Sequence, residues 1–388
     1  MASLSTSLRV TTTRLFVCVA LVGRPVGVCR GQQPTAGSDV SVSWQAEFRD
    51  VSQVAVSPDG RSVAYVRSLP GHEENRIEIV DLASQSTVGK FDTIGRACGL
   101  AFTPDSAKLT YAFGEGNLEY RTTIRQFDLA TGKNHQVGQC VGWISSVDFS
   151  EDGRLMATAS SYGFLYAIVN ATKKDSASTM VSSGEVIVWD VATGRAVYQA
   201  PCELLGAGQF PGANLKAAER ESLDEVTRDR LRAEQDVHKD RIEATLHKFA
   251  PLSVALRGDG GEVAWINAAG LTFRRDVTTG RATGYATGWG EVTYLDHELS
   301  VAGQSPANLW GAASTAAAAP RIAVAGAFGI TEFQGKLNVI DLAEGTPVAS
   351  IPEHALTLRS ASLSTDGRVM AKADAEGVTV FAIAPNVR

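Results

Sequence analysis

Two short patterns alternate along most of this chain and restrict its fold more than any other feature. The first is an apolar run closed by a polar turn: VAVSPDG at 54–60, LAFTPDS at 100–106, VDFSEDG at 147–153, VALRGDG at 254–260 and ASLSTDG at 361–367. The second is an alternating stretch ending in Asp and a tight turn: IEIVDLAS at 77–84, IRQFDLATG at 124–132, VIVWDVATG at 186–194, FRRDVTTG at 273–280 and LNVIDLAEG at 337–345. Between them lies a third apolar stretch, such as VAYV at 63–66, LMATAS at 155–160 or VAWI at 263–266. Alternation with period two specifies strands, and Asp-Gly and Thr-Gly supply turns that tolerate left-handed backbone. Three strands plus a fourth after the Thr-Gly turn make one four-stranded antiparallel unit. A single such sheet cannot bury both faces, whereas sheets stacked radially cover one another and leave only short edges.

The fold class expected is therefore all-β, a β-propeller of four-stranded antiparallel blades. Val188-Trp189-Asp190-Val191-Ala192-Thr193-Gly194, preceded by the inner strand and turn at 147–153, resembles the Trp-Asp (WD) repeat signature. The matching pairs in the other copies are Val80-Asp81, Phe127-Asp128, Arg275-Asp276 and Ile340-Asp341. The first copy, SPDGRSVAYVR followed by IEIVDL, also resembles the blades of Tol-type and YVTN-type propellers. The resemblance spans about residues 41–388. It implies a platform for partners and no particular chemistry. The Gly-His pair of the signature is missing or degenerate in most copies, with Glu353-His354 its nearest match. A blade needs about 40–45 residues, and the recurring Asp sits unevenly at 81, 128, 190, 276 and 341, so the long intervals hold insertions. Six blades are expected. Seven is the alternative, if VTYLDHELSVAG and RIAVAGAFG within 281–336 belong to two blades rather than one.

The last copy ends after its third strand, VTVFAIA at 378–384, which leaves an outer edge to be covered. The alternating segment VSVSWQAEF at 40–48 has no other partner and is expected to lie beside 377–384, closing the ring. Insertions are expected at 161–184, 203–250 and 303–320. The second, free of Gly and Pro from 213 to 250, reads as a helical segment at about 213–249 with Asn214 as a cap. In an up-and-down blade the first two insertions leave from the same end of the ring, next to each other, while the short Asp-containing turns lie at the other end. The Ala-rich third insertion carries Trp310, and Asn170-Ala171-Thr172 fits a glycosylation sequon.

Residues 1–39 read as a signal peptide and flexible spacer: Arg9 and Arg14 precede the apolar run at 15–23, which Arg24 and Pro25 stop. A secreted or periplasmic location is expected, with a cytoplasmic one as the alternative. No later segment is long and apolar enough to cross a membrane as a helix. The formal net charge of -6 and the lack of a basic stripe argue against nucleic acid as a partner. Past the leader, Cys98, Cys140 and Cys202 are an odd set, read as small buried hydrophobes.

The sequence holds no HExxH, P-loop or GxSxG motif and no zinc or calcium spacing, so no catalytic residue, metal or cofactor is expected. The residues just before the inner strands are Asp50, Arg96, Trp143, Trp289 and Arg359, and they are expected to ring the channel mouth on the inserted face. Arginines there could take a carboxylate and tryptophans an apolar or sugar surface, or all five could simply pack beneath the insertions. The expected function is a non-catalytic, exported WD-like platform for a protein or other macromolecular ligand. A propeller hydrolase of the lactonase kind and an intracellular scaffold are the alternatives.

Overall fold

The computed structural model describes residues 40–48, 50–69, 74–95, 97–114, 121–161, 180–206, 223–230, 233, 250–267, 270–287, 292–295, 298–301, 321–333, 336–343, 347–354 and 358–384. The first strand, β1 (Val40–Glu47), belongs with the last blade. Blade 1 is β2 (Val51–Val56), β3 (Ser62–Ser68), β4 (Asn75–Asp81) and β5 (Ser86–Thr93). Blade 2 is β6 (Ala97–Phe102), β7 (Lys108–Gly114), β8 (Arg121–Asp128) and β9 (Asn134–Val141). Blade 3 is β10 (Trp143–Phe149), β11 (Leu155–Ser161), β12 (Met180–Asp190) and β13 (Arg195–Gly206). Blade 4 is β14 (Pro251–Leu256), β15 (Glu262–Asn267), β16 (Leu271–Asp276) and β17 (Ala282–Thr287). A two-stranded sheet follows, β18 (Val292–Leu295) with β19 (Glu298–Val301). Blade 5 is β20 (Arg321–Ala325), β21 (Phe328–Phe333), β22 (Lys336–Asp341) and β23 (Pro347–His354). Blade 6 is β24 (Ser360–Leu363), β25 (Val369–Ala373) and β26 (Gly377–Ile383), completed by β1. The six four-stranded sheets make a six-blade propeller. The two segments left open between one blade and two fall in separate sheets.

Recurring polar residues build the turns. After the inner strand, Ser57, Thr103, Ser150 and Ser364 donate their hydroxyls to Asp59, Asp105, Asp152 and Asp366 at 2.6–2.7 Å. Each hydroxyl in turn accepts the amide of the residue five positions on, at 2.9–3.0 Å. Each carboxylate also takes the N–H two residues beyond it, at 3.0 Å. In blade 4, Arg257 stands in for the hydroxyl and donates Nε–H to Asp259 at 2.8 Å. After the third strand, Asp128, Asp190 and Asp276 accept both the N–H and the hydroxyl of a Thr three residues on, at 2.7–2.8 Å. Asp81 does the same with Ser84. The aspartate therefore recurs because it closes the turn, whatever precedes it. Trp189 adds a bond within its blade, donating Nε1–H to Thr158 Oγ1 at 2.9 Å.

Apolar clusters fill the seams between blades. One joins blades 6 and 1 (Val378 and Val380 against Val54 and Tyr65), and others join blades 1 and 2, 2 and 3, 3 and 4, and 5 and 6. At two seams the signature aromatic of one blade lies against a glycine in the outer strand of the blade before it. A Cβ on Gly138 would fall 2.6 Å from the Trp189 ring, and one on Gly89 would fall 2.9 Å from Phe127. Between blades 4 and 5 the described residues form no such cluster, and the β18–β19 sheet lies there, with β18 beside β14. The blade faces turned away from their apolar clusters flank it and mix polar side chains with apolar ones, Ile266 in blade 4 and Ile340 in blade 5. Blade 4 presents the Glu262–Arg274 pair (2.7 Å) and Thr272, and blade 5 presents Thr331 and Asn338 bonded to Ser350.

The closing strand lies where the alternation placed it. β1 runs antiparallel to β26, from Val40 opposite Ile383 to Glu47 opposite Gly377. A register shift between Val42 and Trp44 turns the strand over, so Val40 and Val42 pack toward blade 5 and Trp44 toward blade 1. Trp44 and Phe48 then meet the Tyr65 ring, with centroids at 6.0 and 5.5 Å.

Side chains also tie neighbouring inner strands, whose amides otherwise face the axis unpaired. Val54 and Val56 donate N–H to Ser360 and Ser362 of blade 6 at 3.2 and 2.9 Å. Across the ring, Val254 and Leu256 donate to Ser146 and Asp148 of blade 3 at 3.2 and 2.7 Å. Backbone bonds Thr365–Pro58 (3.1 Å) and Glu151–Gly258 (2.9 Å) complete two matching staples.

Two substitutions check this packing by urea unfolding. Gly138→Ala should destabilise by about 1–3 kcal/mol, since the Trp189 ring must move. Ser150→Ala should cost about 1–3 kcal/mol, because Leu155 N–H and the turn lose their buried partner. Losses within error in both would refute these roles.

Candidate functional site

The two ends of the ring differ. The Ser-x-Asp and Asp-x-x-Thr turns occupy one end. From the other leave the connections 162–179, between β11 and β12, and 207–249, between β13 and β14. The connection 302–320 leaves there too, because β19 runs back from the axis strand β18 toward the end at which β20 begins. The strands around the first two are longer than the repeat pattern suggested. Met180 pairs with Gly206 and Val181 with Leu205, so β12 and β13 run as a ribbon past the last partner of β11, Ser161 opposite Gly184. Of the helical segment expected at 213–249, residues 225–230 and 233 are helical. Asp224 caps them by accepting Thr227 N–H at 2.7 Å. The expected Asn214 cap, residues 1–39, Asn170 and Trp310 lie outside the described residues.

The structure brings two of the five expected mouth residues together. Arg359 donates Nη1–H to the Val51 carbonyl at 3.1 Å and approaches Asp50 to 3.9 Å, bridging blade 6 to blade 1. Asp50 sits in left-handed backbone, φ 67°, with its side chain largely exposed. Trp143 packs into the seam between blades 2 and 3, where a Cβ on Gly114 would lie 3.2 Å from its ring. Arg96 and Trp289 lie outside the described residues. Cys98 and Cys140 are reduced and buried in the same seam, and burial pushes the Cys140 thiol far up.

The residue that sequence reasoning missed is on the axis. A cavity of about 700 Å³ is lined by residues from all six inner strands and by Thr293 of β18, which thus takes an inner-strand place of its own. Its lining comes from the second half of these strands and their turns, including Pro58, Pro104, Glu151, Gly258 and Thr365, so it lies toward the short-turn end. Asp148 stands in its wall, accepting the Leu256 amide. The residue keeps part of its surface exposed, yet burial of the carboxyl pushes it up to about 6 despite bonds from backbone N–H groups. The signal was present in the aligned copies: the residue between the last two apolar positions is Ala55, Ala101, Asp148, Ala255 and Ser362. Among the described residues, no group of three or more His, Cys, Asp or Glu is placed to hold a metal ion, and no helix is long and apolar enough to cross a membrane.

Asp148 fixes a pH dependence. Its native carboxyl binds a proton more readily than the unfolded chain does, so its contribution to stability falls as pH rises from about 4 to about 6 and then levels off. Asp148→Asn keeps an acceptor for Leu256 and should raise stability at pH 7.5 by about 1–2 kcal/mol, with little change at pH 4. Denaturant unfolding at the two pH values checks this, and a uniform loss at both would contradict it.

No protein-family model matches the sequence, and no curated protein matches it. Solved structures do. Kuenenia stuttgartiensis hydrazine synthase aligns over 92% of this chain and 99% of that one, at 14% identity and a TM-score of 0.53. The β-propeller domain of Cps50 (Swd1) from Myceliophteria thermophila aligns over 87% and 97%, at 10% identity and a TM-score of 0.50. At such identities the likeness concerns the fold: this chain is similar in architecture to both, and its propeller is consistent with an interaction platform.

Proposed function

We propose that this chain is a non-catalytic interaction platform of Trp-Asp type, exported from the cytoplasm, that seats a protein or other macromolecular ligand on the face carrying the long connections. The observation that carries the reading is the β12–β13 ribbon, which rises beyond the end of its blade on the face where all three long connections leave. A rigid ring that confines its variability to one end suits recognition. The Asp50–Arg359 pair on that rim is exposed and offers a polar contact of either sign. The Trp-Asp assignment is supported by the Trp189–Thr158 bond and by the architectural likeness to Cps50 (Swd1). Export is supported by the layout of residues 1–39 alone. The hydrolase alternative would rest on Asp148, and stoichiometric zinc or calcium in the purified protein would favour it.

Affinity capture tests the face. Ligand recovered by the intact chain should be lost when 207–249 is replaced by a short linker, and retained when Lys133 and Arg195 at the opposite end are changed to Ser. Equal recovery by the shortened chain would refute the reading. Mass spectrometry of the mature N-terminus tests export, with a start near residue 40 expected and an intact Met1 contradicting it.

A further inference from the structure

We propose that the axial channel is a binding site for a compact organic ammonium ion, with Asp148 as its counter-charge. The volume, about 700 Å³, falls in the range of small-molecule sites. Among the lining residues the ionisable ones are Asp148 and Glu151, both acids, and no lining residue is basic. The rest of the wall offers polar and apolar surface in similar measure, with Val56, Phe102, Phe149 and Leu363 of the blade seams bordering it, so it can seat a short hydrocarbon next to a charge.

The staple between inner strands does not explain the acid. In blade 6, Ser362 occupies the same place as Asp148 and receives Val56 N–H at 2.9 Å with a hydroxyl. Blades 1 and 2 carry Ala55 and Ala101 there. A serine would hold Leu256 equally well, without the cost of taking a carboxylate out of bulk water. The carboxylate is thus surplus to the fold, and it faces a lumen able to hold a counter-ion. A hard metal ion demands several oxygen ligands together, which Asp148 and Glu151 do not make up. An ammonium needs one carboxylate and a few carbonyls. The axis edge supplies carbonyls: in an antiparallel strand the C=O of Val56 and of Leu256 points to the same side as the N–H that is stapled. Other charges close to this wall are accounted for. Glu151 lies on the turn after β10, and Arg257 and Asp259 beyond the end of β14 pair with each other at 2.8 Å.

The test uses the full chain, n-butylammonium chloride as probe and 1-butanol as the neutral control, followed by NMR titration and thermal unfolding. At pH 7.5 butylammonium should bind saturably and raise the Tm, and butanol should not. At pH 5, with Asp148 protonated, binding should weaken about tenfold. Asp148→Ser, which copies the blade 6 staple, should keep the fold by circular dichroism and lose about tenfold or more in affinity. Asp148→Asn serves the same purpose if the serine variant unfolds. Unchanged binding in the variant or at pH 5, equal binding of butanol, or no saturable binding of butylammonium would each overturn the proposal.

Discussion

The pairing of β1 with β26 is the constraint from which the rest of the ring follows. Each blade is two-faced and apolar, and it is stable only when a neighbour lies on both sides. A row of blades leaves two bare faces and a bare edge at its ends, and the chain removes them by lending blade 6 a strand that precedes blade 1. That strand covers the edge of β26 and, by turning over between Val42 and Trp44, supplies apolar side chains to the seams on both sides. Gly377 shows how close the approach is: its φ is 144°, and a Cβ there would fall 2.1 Å from the Ala46 carbonyl oxygen. Next to this joint the Tyr65–Glu78–Arg67 cluster stiffens blade 1. Burial alone would raise the Glu78 carboxyl, but the bonds from Tyr65 and Arg67 outweigh it and hold it below its usual range.

Closure also explains the two inner-strand staples. They lie at the seams of blades 6 and 1 and of blades 3 and 4, well apart around the ring, and each uses two side chains, Ser or Asp, to accept two amides that the axis would leave bare. The interval between blades 4 and 5 is built differently. Two short strands occupy a sector there, between blade faces that mix polar and apolar side chains. The result is six full blades around an axis lined by seven inner strands.

Much of this was legible because local chemistry specified it. An Asp that closes a turn leaves a fixed offset to its Ser or Thr, and alternation marks a strand whether or not it has a local partner, which is how 40–48 could be placed against 377–384. The extent of β12 and β13 was not legible, since backbone pairing beyond the blade imposes no apolar period on the sequence. Nor was the split of 281–336, where β18 and β19 have four residues each, too few for alternation to register. Asp148 was visible as a letter but not as a site. Its importance comes from the axis, which gathers strands far apart in sequence. Of the expected mouth residues, Asp50 and Arg359 meet, while Trp143 is drawn into a seam by a glycine one strand away from it in the preceding blade.

The most direct measurement moves the closing strand. In the native ring Val40 lies opposite Ile383, so residues 40–48 transferred to follow residue 384 through an Asn-Gly turn would reach the same place as an ordinary hairpin. Thermal unfolding of the chain starting at residue 49, with and without the transferred strand, decides the matter. The account predicts that the shortened chain loses cooperative unfolding and that the transferred strand restores it to near the native Tm. A shortened chain that unfolds cooperatively at the native temperature, or a transferred strand that restores nothing, would contradict it.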